Sequence, residues 1–304
     1  MMRTLKLTLA YDGTRYAGWQ VQGRRVRSSE FKVRSNARAT IQGTLERVLG
    51  RILQEPVSVV GSGRTDAGVH ALAQVAHVNT GSSLSRGRLL RSVNQLLPQD
   101  VAVTRIDEVP ASFHARFGAS RKRYRYRIFT GPVVSPFIRP YVHQVTRPLN
   151  VSAMREEATA LRGRHNFRAF TRAGSAKGDL TRTITHVRLV RAPQELRLEI
   201  EGTGFLHTMV RSIVGTLLDV GRGRLPHGTI RRMLRTGDRR LAGTTAPAKG
   251  LALVRVVYGR PRGSDKMSVA RGSASSEVGG RRLASTLHPP PKSAQSPAAF
   301  YQAL

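Results

Sequence analysis

A short glycine-rich segment between two strand-like stretches constrains the fold more than any other feature of the sequence. The segment reads Gly61-Ser62-Gly63-Arg64-Thr65-Asp66-Ala67-Gly68. Residues 57–60 before it are mostly apolar and β-branched, and residues 74–80 after it alternate apolar and polar side chains, so both stretches are predicted to be strands. The glycines allow the backbone to approach other groups closely. The sequence therefore predicts a tight connection that presents one cation and one carboxylate.

This connection has two interpretations. In the first, Asp66 is a pre-organised acid, held near Arg64 on a loop between two strands. In the second, the segment is only a tight turn with a surface ion pair, which is the usual role of Asp-Gly-type loops. These residues alone leave both interpretations open.

The charge of the chain indicates the kind of partner. The 304 residues include 51 Lys and Arg against 18 Asp and Glu, which gives a net charge of +33. A chain this basic repels itself unless it works against a polyanion, so nucleic acid is the favoured partner. A protein that binds a membrane surface, or one with a thermally adapted surface, is the alternative.

Several kinds of chemistry are excluded or not indicated. The absence of cysteine excludes disulfides, thiolate catalysis and Cys-ligated zinc. The nine histidines lack the paired spacing of a zinc helix, so no metal site is expected. No nucleotide-binding motif is visible, and neither a signal peptide nor a long apolar run is present, so we expect a soluble cytoplasmic protein. If the protein is an enzyme, a single carboxylate must carry its chemistry.

The order of predicted elements indicates an α+β fold. Residues 5–11, 57–60, 74–80 and 101–106 are predicted strands, and residues 40–53 and 86–97 have the apolar spacing of helices. The order strand–helix–strand–strand–helix–strand fits a sheet with helices on one face. Residues 23–38 interrupt it with a net charge of +5, and we interpret them as an exposed basic loop.

The second half continues the same alternation. Residues 151–162 are a predicted helix, residues 163–178 a basic loop, residues 183–190 and 195–202 a hairpin, and residues 251–258 a final strand. Residues 261–304 lack periodicity and are rich in Gly, Ser and Pro, which predicts a disordered basic tail. We expect an N-terminal domain at 1–109, which carries the basic insertion, a C-terminal domain at 110–260, and the tail.

Two further stretches bear on function. In residues 121–129, Tyr124 and Tyr126 lie on one strand face while Arg123 and Arg125 lie on the other. This pattern suits a groove for phosphates and bases, or an ordinary strand with a solvated basic face.

Residues 204–221 form a largely apolar predicted helix that contains Arg211. A buried arginine needs an acidic partner, and Asp66 is such a partner, unless the stem of the arginine carries its charge to solvent.

The chain resembles the tRNA pseudouridine synthase A family in several blocks in the right order. The most specific block is Gly63-Arg64-Thr65-Asp66-Ala67-Gly68-Val69-His70-Ala71. The other blocks are Tyr11-Asp12-Gly13 with Gly18-Trp19-Gln20, Phe113-His114-Ala115-Arg116-Phe117, Lys122-Arg123-Tyr124-Arg125-Tyr126, Phe205 to Gly215, and Pro247-Ala248-Lys249-Gly250-Leu251. The resemblance spans roughly residues 4–258. The basic insertion and the tail depart from the family pattern.

The resemblance implies two ferredoxin-like α+β halves that share an extended antiparallel sheet with helices on one face. It implies isomerisation of uridine to pseudouridine at positions 38–40 of the tRNA anticodon stem-loop, with base flipping and with neither cofactor nor metal. It also implies a cytoplasmic homodimer. The alternative is a non-catalytic RNA-binding protein or chaperone on the same fold.

The resemblance also implies roles for individual residues. Asp66 would act as nucleophile or base, Tyr124 would stack on the target base and serve in proton removal, and Arg64 would assist base flipping. Arg211 would pair with Asp66. The expected substrate-binding residues are Leu251, Tyr124, Arg123, Arg125, His70 and Arg116.

Overall fold

A computed structural model describes residues 1–21, 39–172, 174 and 178–259. The described residues form ten strands, which are β1 (Arg3–Tyr11), β2 (Val60–Gly61), β3 (His70–Thr80), β4 (Val101–Val109), β5 (Ala119–Phe129), β6 (His143–Gln144), β7 (Gly163–Asn166), β8 (Thr181–Ala192), β9 (Glu195–Gly202) and β10 (Leu251–Tyr258). They also form five α-helices, which are α1 (Ile41–Leu53), α2 (Arg86–Leu96), α3 (Val151–Thr159), α4 (Met209–Gly221) and α5 (Thr229–Thr236). The expected basic loop at 23–38 and tail at 261–304 lie outside the described residues.

The strands form one sheet in the order β4-β1-β3-β10-β5-β9-β8-β7, with β2 paired to β3 and β6 paired to β5. All pairs are antiparallel except β10 with β3 and β5 with β6. The last strand, β10, therefore lies between β3 of the first half and β5 of the second. This position makes the sheet continuous across the halves.

One apolar cluster includes residues of the sheet and of the five helices in the described part of the chain. The other face of β5 and β9 carries ion pairs instead, such as that between Arg127 and Glu195. The helices therefore cover one face of the sheet. The fold class predicted from the sequence, α+β with a mostly antiparallel sheet, is confirmed. The division into domains at residues 109 and 110 stays a proposal.

Local sequence accounts for the best-predicted elements. The Thr40 hydroxyl accepts a hydrogen bond from the Gly43 N–H and caps α1, as its position before the apolar stripe predicts. Helix α4 is buried over almost its whole surface, because its apolar residues leave no wide polar face. Trp19 is 3% exposed and packs in the core, which is the commoner role of a lone tryptophan.

Two local predictions were wrong. Residues 57–59 are not part of a strand, and β2 begins only at Val60. At Val59 the reason is that Gln42 of α1 donates to the carbonyl and Glu46 of α1 accepts from the N–H, so these two backbone groups are not free for a ladder. The predicted loop at 163–178 contains β7 and a 3-10 turn at Arg168–Phe170, held in place by the fully buried side chains of Phe167 and Phe170.

Candidate active site

The glycine-rich segment is a loop between β2 and β3 that is hydrogen-bonded to its neighbours on both sides of Asp66. The Thr65 carbonyl accepts a hydrogen bond from the Trp19 N–H at 3.0 Å, and the Thr65 hydroxyl lies 2.9 Å from the Tyr11 hydroxyl. Below the loop, the buried Ser62 hydroxyl donates to Gln74 at 2.7 Å. These contacts fix the backbone on both sides of Asp66.

Two glycines make this close packing possible. Gly18 has φ +99° and runs against the loop, so a Cβ there would lie 2.5 Å from the Thr65 carbonyl oxygen. A Cβ at Gly61 would lie 2.4 Å from the Trp19 ring. Both distances are far below van der Waals contact, so the loop keeps its position only with glycine at these sites.

Asp66 meets two basic side chains from the other half of the chain. Arg211 Nη1 donates to Asp66 Oδ2 at 2.9 Å, and His207 Nε2 lies 3.5 Å from Oδ1. Arg211 is held at its other edge, because its Nε donates to the Ala246 carbonyl at 2.8 Å. Asp66 and Arg211 have side chains only 20% and 19% exposed. The carboxylate is therefore oriented before any ligand arrives.

A pocket opens at Asp66. Its lining residues are Arg64, Thr65, Asp66, Val69, Tyr124, Phe205, Leu206, Thr208, Met209, Val210, Arg211 and Leu251. This wall is mixed: aromatic and aliphatic side chains alternate with polar groups, and the carboxylate and two guanidinium groups are its charged parts. Such a lining suits a planar base with polar edges, because apolar walls hold the ring while a few polar groups orient it.

Tyr124 forms an aromatic wall of the pocket. Its ring packs edge-on against Phe205, with centroids 5.0 Å apart and planes at 80°. Burial raises the pKa of Tyr124 well above its ordinary value, and the Tyr11 and Asp66 charges act in the same direction. Tyr124 is therefore a neutral phenol in the free protein, able to stack on a ligand.

The structure places the four expected central residues together. Asp66, Arg64, Tyr124 and Arg211 all line the pocket, and so does Leu251 at the start of β10. Arg64 is exposed at the pocket mouth.

The structure does not bring Arg123 and Arg125 into this pocket. Both project from the opposite face of β5 to Tyr124. Arg123 pairs with Glu201 at 2.9 Å, and Arg125 pairs with Glu199 at 3.2 Å.

His70 and Arg116 lie outside the pocket lining too. His70 Nδ1 accepts from the Gly13 N–H at 3.1 Å, and its Nε2 lies 3.2 Å from the Lys249 carbonyl. Burial lowers the pKa of His70, although the nearby Asp12 acts in the opposite direction. Arg116 is exposed, with its guanidinium 5.5 Å from the Phe117 ring. The substrate-binding roles of His70, Arg116, Arg123 and Arg125 stay predictions.

Sequence reasoning missed several wall residues. Phe205, Leu206, Thr208 and Met209 line the pocket, and His207 contacts Asp66, but none was assigned a role. The available signal was their position directly before Arg211, within the same family block. The start of α4 brings Arg211 to the site, and it brings the residues next to Arg211 in the chain with it.

Two further features of the described residues bear on other classes of function. They contain no group of three or more histidine, aspartate or glutamate side chains placed to hold a metal ion. Among the helices found there, none has the length and apolar character needed to cross a membrane.

A family model described as tRNA pseudouridine synthase matches residues 8–118 and 158–259 of this chain. The matched residues include Asp66, Arg211 and Leu251, so fold, pocket and match together place the chain among the pseudouridine synthases. Three curated relatives, each called tRNA pseudouridine synthase A, extend the comparison. They come from Shouchella clausii (43% identical over 262 residues, 86% of this chain and 95% of the relative), Exiguobacterium sp. (42% over 257, 84% and 98%) and Acetivibrio thermocellus (41% over 257, 84% and 100%).

The chain therefore belongs to the tRNA pseudouridine synthase A family and is an isomerase. The resemblance noted in the sequence is confirmed, and the non-catalytic alternative is not favoured. Among solved structures, a chain of a Cbf5-Nop10-Gar1 complex is 13% identical, with 68% of this chain and 43% of that chain covered. Its TM-score of 0.29 is too low to support an argument about this protein.

Proposed function

We propose that this protein converts uridine to pseudouridine at positions 38–40 in the anticodon stem-loop of tRNA, with Asp66 as the catalytic group. The observation that carries the proposal is the Asp66–Arg211 ion pair in a pocket that has Tyr124 as one wall. Family membership supports the reaction, and the net charge of +33 supports a polyanionic substrate.

The reaction rearranges bonds without adding or removing atoms. The bond from the sugar C1′ to N1 of uracil breaks, the base turns, and C1′ bonds to C5 instead. C5 then loses its proton and N1 gains one, so the overall change needs no oxidant, reductant or group donor. Because atoms and electrons balance within the nucleotide, one carboxylate can promote this reaction without a cofactor.

Base flipping must come before the chemistry, because the bonds at C1′ are not accessible while the base is stacked. In our proposal the flipped uracil enters the pocket and lies against Tyr124 and Leu251. Arg64, exposed at the pocket mouth, occupies the space that the base leaves or holds a phosphate. These contacts compensate the free energy lost on unstacking.

Asp66 acts in one of two ways on the flipped nucleotide. In one route its carboxylate attacks C1′ as the C1′–N1 bond breaks, and the bond between Asp66 and C1′ breaks again when C5 bonds to C1′. In the other route it removes a proton from the sugar as the C1′–N1 bond breaks, and it returns this proton to the sugar when C5 bonds to C1′. Arg211 holds the carboxylate in place for either route. Tyr124 serves in the later loss of the C5 proton, and since burial keeps its phenol protonated, it must first pass its own proton to another base.

The wider context is part of the same proposal. We propose that the protein works in the cytoplasm as a homodimer and holds the anticodon arm of its substrate tRNA. Residues 1–109 and 110–260 are proposed as its two domains, which share the continuous sheet.

The test is to incubate purified protein with tRNA transcripts without any cofactor and to map pseudouridine by chemical labelling. Transcripts with cytidine at position 38, 39 or 40 in turn identify the reacting uridines. We expect modification only at these three positions. Modification elsewhere would overturn the anticodon assignment, and no modification of any transcript would overturn the proposed function.

A further inference from the structure

A second surface combines an exposed aromatic ring with cations, beside the loop of residues 62–69 that carries Asp66 and is called the catalytic loop after its proposed role. Phe117 is 78% exposed, although most large apolar side chains of the described residues are buried. It directly follows Arg116, whose guanidinium lies 5.5 Å from the ring centroid. We call Phe117, His114, Arg116 and Lys122 the platform cluster.

The Phe117 ring is fixed rather than loosely exposed. It stacks on His114, with centroids 4.4 Å apart and planes at 29°. The His114 ring is itself held, because its Nδ1 accepts hydrogen bonds from the N–H groups of Arg116 and Phe117 at 3.2 and 3.1 Å. A ring held in this way presents a flat apolar face at little entropic cost.

The backbone under this ring is also anchored. The Ala115 N–H donates to the buried His77 of β3 at 3.2 Å, and the Ala115 carbonyl accepts from the Tyr258 hydroxyl at 2.8 Å. The platform cluster therefore rests on the sheet rather than on a free loop.

Lys122 connects this surface to the catalytic loop. It lies on the same face of β5 as Tyr124, and its Nζ donates to the Ser62 carbonyl at 2.5 Å. Ser62 and Gly63 lead directly to Arg64 and Asp66. The platform cluster is thus adjacent to the catalytic loop but separate from the pocket lining.

Within the described residues, neither Lys122 nor the neighbouring Arg116 forms an ion pair with a carboxylate, whereas Asp179 acts electrostatically on Arg182. Arg116 and Arg182 are close enough to act electrostatically on Lys122, and no carboxylate in that part of the chain forms an ion pair with any of the three. The alternate residues of the same strand behave differently, because Arg121, Arg123 and Arg125 all pair with glutamates of β9. Lys122 is partly buried, and a cation without an acidic partner is unfavourable there, so an anionic ligand is expected beside Lys122 and the exposed Arg116.

We propose that the platform cluster is a second RNA subsite, which takes a nucleotide neighbouring the target uridine. Its base stacks on Phe117, and its phosphate lies against Arg116, Lys122 and Arg182. An aromatic face beside cations binds single-stranded RNA without regard to sequence, because every base has a face to stack. The proposal deepens the proposed function and rests on it for the identity of the RNA.

The test compares tRNA affinity of the full-length wild type, Phe117→Ala, Phe117→Tyr and Lys122→Met over a range of salt concentrations. We expect Phe117→Ala to weaken binding about 5- to 100-fold and to leave the salt slope unchanged. Phe117→Tyr keeps the ring and should bind like the wild type. Lys122→Met should reduce the salt slope by about one phosphate contact, which a purely structural role would not do.

Matched controls exist in the same chain. Phe137 is 88% exposed, so Phe137→Ala removes a comparable ring elsewhere and should leave affinity unchanged. Arg188 pairs with Glu199, so Arg188→Met removes one charge without touching the subsite. Thermal melting of each variant checks folding.

Wild-type affinity in Phe117→Ala overturns the proposal, whatever Lys122→Met does. If Phe117→Ala changes the oligomeric state and leaves tRNA binding unchanged, the proposal is also overturned, since Phe117 would then contact another copy of the protein. Pseudouridine formation by the wild type is measured separately. If Phe117→Ala binds tRNA weakly and the wild type forms no pseudouridine, the subsite is supported and the proposed function is refuted. If the wild type forms pseudouridine and Phe117→Ala binds tRNA as tightly as the wild type, the proposed function is supported and the subsite is refuted.

Discussion

Asp66 and Arg211 are 145 residues apart in the chain, yet they form one ion pair at the centre of the pocket. The arginine is held at two edges, by the Asp66 carboxylate and by the Ala246 carbonyl, so its position does not depend on a ligand. Such fixed polar groups are effective in catalysis because they need no rearrangement as charge develops.

Replacement of Arg211 by methionine should therefore reduce the rate of pseudouridine formation about 10²-fold, with tRNA affinity nearly unchanged. Arg211→Lys should recover only part of the rate, since an ammonium cannot contact Asp66 and Ala246 in the same geometry. Single-turnover rates at saturating enzyme measure this effect. Equal rates in the wild type and Arg211→Met would show that the pair has no catalytic importance.

Lys122 gives a pH-dependent prediction. Burial, together with the charges of Arg116 and Arg182, lowers the pKa of Lys122 to about 8. Its ammonium is charged below that pH and loses its charge above it. The affinity advantage of the wild type over Lys122→Met should be largest below pH 8 and should shrink as the pH rises to 9. Dissociation constants at fixed ionic strength measure it, and an advantage that stays constant up to pH 9 would contradict it.

At the scale of elements, the catalytic loop depends on its neighbours more than on its own sequence. Gly18 allows the Trp19 segment to lie against Thr65, and Gln74 of β3 holds the loop from below. A loop fixed from two sides can keep a partly buried carboxylate in one orientation. The loop is therefore tied to the sheet through these contacts.

Gly18→Ala should destabilise the protein by about 1–3 kcal/mol and lower activity at least tenfold, because the added Cβ collides with the Thr65 carbonyl. Gly223→Ala is the matched control. Gly223 also has a positive φ, at +72°, but open space surrounds its Cβ position. Denaturant unfolding and initial rates distinguish the two. If both variants lose stability and activity equally, backbone strain and not the collision is responsible.

The sequence predicted elements well where one local pattern decides them. The apolar stripe and Thr40 cap of α1 and the alternation of β5 are examples. It failed at residues 57–59, and at Val59 side chains of α1 take the backbone groups that a strand would use. Such competition comes from tertiary packing and leaves no local pattern.

In the candidate site, too, local motifs predicted the position of some residues correctly, and tertiary packing decided the others. The motif around Asp66 and the block around Arg211 placed both residues in the pocket. Arg123 was expected to bind substrate, but its partner Glu201 is 78 residues away in the chain, so only strand pairing reveals that the arginine is already paired. His70 was also expected to bind substrate, but its ring nitrogens contact Gly13 and Lys249, which are far apart in the chain and are brought together only by the fold.

At the scale of the whole molecule, the basic charge is spread over the chain. The insertion at 23–38 carries +5 and the tail from Pro261 carries +4, so +24 remains on the rest. A substrate as large as tRNA can use such an extended positive surface, and its binding should be strongly salt-dependent.

Deletion of residues 24–38 should flatten the salt dependence of tRNA binding, because this segment is expected to contact phosphates. A second variant keeps the length and replaces Arg24, Arg25, Arg27, Lys32, Arg34 and Arg38 by glutamine. It should show the same flattening if charge is responsible. An unchanged slope in both variants would remove the insertion from the binding surface.

The most direct measurement compares pseudouridine formation and tRNA binding by the wild type and Asp66→Asn, without added cofactor. The substitution keeps the size of the side chain and removes its charge. We predict that the wild type modifies the anticodon arm, while Asp66→Asn binds the same tRNA and forms no pseudouridine. Pseudouridine formation by Asp66→Asn at a rate near that of the wild type would contradict the central claim that this carboxylate carries the reaction.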